Sequence, residues 1–295
     1  MSPQKKVGLF LFLTFTLSLF SYVPIIRAGT LSVNGGLFVL IIMWSPGLAA
    51  ILTQLISAHT LRGLGWHFGS ARWLGLAYIL PIIYALPVYA FTWFAGLGVF
   101  PNPARIASLA EKYSSTNLAT ILTIFILTNA TVGMLENLIS ALGEEIGWRG
   151  LLMPELAKMT SFTKTALISG VIWAIWHMPA VLLADYNNGG STPVAYSAKC
   201  FAVMIIAISF PFAWLTLKSG SLWPAVVLHA SHNLFIQAVF DGLTGNTRIT
   251  PYIIGEFGIG LVLTSIVGAY VFWHMQREKP LQVQPVHIHS VIPTE

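Results

Sequence analysis

Polar positions punctuate long apolar stretches along the 295-residue chain instead of alternating with them. Apolar runs bounded by Gly, Pro, Asn or charge cover residues 7–26, 36–58, 73–98, 118–142, 165–184, 199–217, 222–240 and 252–275. Each is close to the ~20 residues that a helix needs to cross the hydrocarbon layer. The pattern predicts an all-α polytopic membrane bundle of about eight transmembrane helices. The first run follows Lys5 and Lys6, as a signal peptide would, but its apolar stretch is too long and no small-x-small cleavage site stands near Ala28, so it reads as a retained signal anchor.

Composition agrees with the pattern. Charged residues are 8% of the chain and apolar residues 56%, against ~25% charged in a soluble domain. That excludes a soluble globule, and collagen, coiled-coil and disordered classes fail with it. The net charge of +5 is scattered over every loop and makes no stripe, so no nucleic-acid partner is expected. Its distribution reports topology instead. With the N-terminus in the cytoplasm, Lys5, Lys6, Arg62, Arg72, Arg149, Lys158, Lys164, Lys218, Arg277 and Lys279 lie inside. Arg27, Arg105, Lys112, Lys199 and Arg248 lie outside. The bias places both termini inside. The lone Cys200 can form no intrachain disulfide and leaves the redox compartment open. Segments between runs are short, with turn chemistry at Pro101 to Pro103 and Asn187 to Gly190, which predicts one integral membrane domain over 1–279 and a flexible cytoplasmic tail over 280–295. The expected location is the plasma membrane.

Ionisable groups inside apolar spans mark sites by default, because burying them in lipid is costly. Here they are Glu136, Glu144, Glu145, Arg149, His177, His229, His232 and Glu256, joined by the amide of Asn233. Glu145 and Arg149 are four residues apart and share a helix face, while Glu144 points about 100° away. Arg149 is expected to neutralise Glu145 and leave Glu144 free to exchange protons. Gly143 and Gly147 would admit another helix at close range. His177 sits too deep in its span for a surface histidine, between Trp173 and Trp176 as pocket walls and ahead of Pro179. His229 and Asn233 project from one face of the seventh run. Each set also has a plainer reading: a charged helix end at the headgroups, a histidine satisfied by a backbone carbonyl, or, for His232, an interhelical hydrogen bond. Together they are more specific, since Glu144, His177, His229 and Asn233 all fall in the cytoplasmic half of their spans. Glu136 is left unexplained, and Glu256, near the outer end of the last run, is expected to stand apart.

A carboxylate and an imidazole sharing a water permit general acid–base hydrolysis, with a second imidazole and an amide as oxyanion donors. The same Glu144, His177 and His229 are also a possible ligand set for a divalent metal such as zinc. Sequence leaves both open.

The ordered set Glu144-Glu145-x-x-x-Arg149, Trp173-x-x-x-His177 and His229-x-x-x-Asn233 resembles the three-motif signature of the CPBP family, also called Abi. These are CAAX-protease and bacteriocin-processing intramembrane proteases that include the Ras-converting type of CAAX prenyl endopeptidase. The resemblance runs from the fourth to the seventh span. Trp173 stands where the second motif often carries Phe, a change in the pocket wall. The resemblance implies Glu144 and His177 as the water-activating pair, His229 and Asn233 as transition-state stabilisers, and Glu145 and Arg149 in support. It also implies an intramembrane endopeptidase acting on a peptide or lipidated-protein substrate from the cytoplasmic leaflet, with a glutamate-type mechanism needing no cofactor or with a metal. Two other classes compete: an ion-coupled transporter, which would use the same Glu and His as a proton relay, and a non-catalytic immunity or binding protein of the same fold.

Overall fold

The computed structural model describes residues 1–278; the tail expected over 280–295 lies outside the described residues. Among the described residues nine helices longer than one or two turns organise the fold: α1 (Pro3–Ala28), α2 (Leu37–Ala58), α3 (Ala71–Phe94), α4 (Pro103–Tyr113), α5 (Leu118–Ala157), α6 (Phe162–Leu183), α7 (Val194–Ser219), α8 (residues 223–243) and α9 (Ile259–Glu278). Local chemistry sets their ends. The Ser2 side chain caps α1 ahead of Pro3, and Gly29 and Gly220 close α1 and α7 in the left-handed region that suits glycine.

The expected all-α bundle is what the chain forms. Apart from α4, the helices close a ring in which successive neighbours pack in the order α1, α2, α5, α8, α3, α9, α7, α6 and back to α1. Large apolar side chains such as Phe12, Phe20, Ile83, Leu127, Leu135 and Val267 face outward as an exposed band. A surface so apolar is suited to lipid and not to water. Among the described residues, seven helices are long and apolar enough to cross a membrane. The eighth expected span, 222–240, is present as α8 but is not among the seven. It carries Pro224, His229, His232, Asn233 and Gln237, which lower its hydropathy, and packs between α3 and α5 in the ring.

Three boundaries differ from the expectation. The fourth span does not stop at 142: α5 runs 40 residues to Ala157 through two wider π-helical stretches, Asn129–Gly133 and Ile146–Leu152. Glu144 and Glu145 are therefore inside a helix and not beyond the end of one. Arg149 is buried with them and does not count as a loop charge. The last span starts at Ile259, after a break at Ile254–Gly258 that leaves Glu256 off the helix. Helix α4 went unrecognised because it is amphipathic, with only Leu109 buried. At the other face, Lys6 and Lys158 meet on one Glu155 oxygen at 2.9 Å each, so the α1 start and the α5 end lie on one side. A two-residue antiparallel pairing of Gly98–Val99 with Gly245–Asn246 ties the loops after α3 and α8.

The expected close approach at the glycines occurs. A Cβ on Gly143 would stand 2.9 Å from Trp44 Cα, and one on Gly147 would stand 2.7 Å from the Pro46 carbonyl carbon. Helix α2 thus crosses α5 backbone to backbone beside the carboxylates.

Candidate active site

A cavity of about 210 Å³ opens within the ring. Glu144, His177, His229 and Asn233, expected to meet, all line it. Tyr22 and Ile25 of α1, Ile42 and Met43 of α2, and Phe201, Ile205 and Phe212 of α7 complete much of an apolar wall.

Glu144 is held by tryptophans. Its Oε2 accepts from Trp148 Nε1 at 3.1 Å, one helical turn on, and from Trp173 Nε1 at 2.8 Å across to α6. Among the described residues no hydrogen bond occupies Oε1. Two donors on one oxygen fix the carboxylate plane while the other oxygen is left for a reactant. Trp173 was expected as a pocket wall only; its indole is also a carboxylate clamp.

Glu145 faces the other way, as the 100° offset requires. Its Oε1 accepts from Arg149 Nη1 at 2.9 Å and from His229 Nδ1 at 2.8 Å, with Glu145 and Arg149 both buried. The Arg149 guanidinium lies between two rings, 4.1 Å from Trp173 and 3.9 Å from Phe212, which solvate a cation that no water reaches. The expected Glu145 to Arg149 pairing is present, and the anchoring of His229 by Glu145 adds a link between α5 and α8 that spacing did not show.

The imidazoles are oriented by what holds them. His177 Nδ1 donates to the Trp173 carbonyl at 2.9 Å, so the neutral ring keeps its lone pair on Nε2. His229 donates Nδ1–H to Glu145, and its Nε2 has no hydrogen-bond partner among the described residues.

The structure changes the reading of Glu256, expected to stand apart, and gives His232 the interhelical hydrogen bond of its plainer reading. His232 and Glu256 line the same cavity. His232 Nε2 donates to Glu256 Oε1 at 3.0 Å, Tyr186 Oη donates to Glu256 Oε2 at 2.9 Å, and His232 Nδ1 pairs with the Tyr84 hydroxyl. Glu256 reaches inward because the break before α9 turns the chain back; the signal for that was the pair Gly255 and Gly258 around it. Glu136 is exposed on the outer face of α5 and takes no part.

The possible ligand set for zinc does not fit as it stands. Among the described residues no three His, Cys, Asp or Glu side chains are grouped to hold a metal ion, and Glu144 spends one oxygen on two indoles.

Comparison with known proteins agrees with the motifs. Residues 123–235 match the family model described as type II CAAX prenyl endopeptidase Rce1-like. A curated relative, CAAX prenyl protease 2 of Methanococcus maripaludis, is 27% identical over 114 residues, which are 38% of this chain and 41% of that protein. The chain thus spans about two fifths of the length of the curated relative it matches. The resemblance to the CPBP family is borne out over this segment, and the apolar helices are those of an integral, multi-pass membrane protein. Glu144, His177, His229 and Asn233 fall inside the matched segment; Tyr22 and Glu256 fall outside it.

Proposed function

On the premise of an Rce1-like domain at residues 123–235, we propose that this chain hydrolyses a peptide bond near a lipid-modified C-terminus, using Glu144 and His177 to activate water without a metal. The observation that carries this reading is the convergence of Glu144, His177, His229 and Asn233 on one cavity whose remaining wall is largely apolar. A prenylated CAAX end is the substrate class that such a wall and the family together favour. The site is reached from the cytoplasmic leaflet.

Glu144 Oε1 and His177 Nε2 share the attacking water. One takes its proton as the oxygen adds to the scissile carbonyl carbon. The resulting oxyanion receives hydrogen bonds from the Asn233 amide and from His229 Nε2–H, the ring carrying both protons with Glu145 as its counter-ion. The stored proton then passes to the amide nitrogen, the C–N bond breaks, and a carboxylic acid and an amine leave. Trp148 and Trp173 keep Glu144 from swinging onto Arg149, which Glu145 already pairs through Nη1.

The test is cleavage of a farnesylated peptide, with the modified Cys fourth from its C-terminus, by the purified full-length chain in lipid nanodiscs. Wild type is compared with Glu144→Gln and His177→Ala, each with and without chelator. Loss in both variants with no effect of chelator is the expected result. Activity abolished by chelator and restored by zinc would overturn the metal-free mechanism, and full activity in Glu144→Gln would overturn the assignment of the base. Uncoupled proton or solute flux lost in the same variants would favour a carrier instead.

A further inference from the structure

Glu256 and His232 line the cavity without a part in the chemistry proposed above. Their placement is built with care by the rest of the fold. The turn before α9 holds Gly255 at φ +72°, where a Cβ would stand 3.3 Å from Asp241 Oδ2. Its N–H donates to Tyr89 Oη at 3.1 Å, and Tyr89 donates in turn to Asp241 Oδ1 at 2.5 Å. This lock directs the next residue, Glu256, into the cavity.

Both Glu256 oxygens are then occupied. Oε2 takes the Tyr186 hydroxyl and Oε1 takes His232 Nε2, while the Tyr84 hydroxyl takes the other nitrogen of His232. With neither ring nitrogen free, His232 cannot serve a substrate without breaking a bond. The two donors come from different walls. Tyr186 follows α6, and its ring centroid is 6.1 Å from that of His177 and 5.5 Å from that of Phe201, which is itself 5.1 Å from His177. His232 belongs to α8 and immediately precedes Asn233.

We propose that Glu256 is a positioning residue: by bonding Tyr186 and His232 at once, it fixes the wall that confines His177 relative to the turn of α8 that carries His229 and Asn233. The proposal rests on the hydrolytic reading of the site. Displacing a reacting group by even about 1 Å costs on the order of a hundredfold in rate, and one carboxylate joining two walls guards against that.

The experiment measures kcat and KM for the farnesylated peptide with the full-length chain in nanodiscs, for Glu256→Gln, Tyr186→Phe and the double variant, beside Glu144→Gln. The amide can accept from only one of the two donors, and Tyr186→Phe removes a single hydroxyl, so it carries the test if Glu256→Gln fails to fold. Each single variant is expected to lower kcat by about tenfold to a hundredfold with KM within about twofold. The double variant is expected to lose less than the product of the two single losses, because Tyr186 acts through Glu256. Wild-type kcat in Tyr186→Phe, strictly multiplicative losses in the double variant, or a raised KM with kcat intact would each overturn the proposal. An active Glu144→Gln would mark failure of the hydrolytic reading itself, a distinct result.

Discussion

Two carboxylate–imidazole pairs share α8: their histidines, His229 and His232, stand three residues apart and line the same cavity, and the pairs are built to opposite ends. In the first, Glu145 holds His229 by Nδ1 and leaves Nε2 open, while Arg149 backs the carboxylate between two aromatic rings. In the second, Glu256 holds His232 by Nε2 and Tyr84 closes Nδ1. Which ring nitrogen is taken decides whether a buried histidine is a reagent or a strut. The pairs also differ in charge. The first includes a guanidinium that nothing but Glu145 neutralises at bonding distance; the second is closed by neutral tyrosines.

That contrast can be broken from the carboxylate side. Glu145→Gln should be the most damaging change, because it strands Arg149 as a buried charge. A loss of about 3 to 5 kcal/mol in unfolding free energy is expected, read by thermal or denaturant unfolding in detergent, with activity lost alongside. Glu256→Gln strands no cation and should cost no more than about 1 to 3 kcal/mol. Equal losses would show that the two pairs are energetically alike.

Next in size are changes that spare the fold and remove chemistry. Glu144→Gln keeps an oxygen for the indoles of Trp148 and Trp173 but cannot take the proton that the proposed mechanism assigns to it; kcat is expected to fall by about a thousandfold at unchanged unfolding temperature, measured by single-turnover cleavage. Asn233→Ala removes one of the proposed oxyanion donors, with an expected loss of about a hundredfold in kcat. A loss in His232→Asn as large as that of Glu144→Gln would erase the distinction between reagent and strut.

Gly147→Ala touches neither pair directly. Its methyl would press on the Pro46 backbone, which belongs to a packed helix and cannot yield cheaply. A destabilisation of about 1 to 3 kcal/mol is expected, with reduced activity only as far as α5 shifts. Smallest of all, Glu136→Gln on the exposed face of α5 should leave kcat within about twofold; a larger loss would mean that the cavity is coupled to this outer face.

Much of this was readable along the chain. The apolar runs located the helices, and three spacings of four located Glu145 with Arg149, Trp173 with His177, and His229 with Asn233, because residues at that spacing share a helix face wherever the helix lies. Errors arose where charge was taken as a marker of the surface. Arg149 counted as a loop cation and Glu144 as a helix end, yet burial between Trp173 and Phe212 makes the interior tolerate the first, and the wide turns of 146–152 continue the helix past the second. Helix α4 was missed for the reverse reason: an amphipathic helix leaves no apolar run. Its traces were the Asn102 cap and Pro103.

The sequence by itself determined the membrane bundle and the set of residues able to do the chemistry, since hydrophobic length and helical periodicity are local properties. Only the tertiary structure decided which carboxylate serves which imidazole. Glu145 and His229 are 84 residues apart in the chain, Tyr186 and Glu256 are 70 apart, and Glu144 meets Trp173 across 29. Such pairings depend on how the helix ring closes, and a side chain's role as base, counter-ion or strut follows from the neighbours that closure gives it.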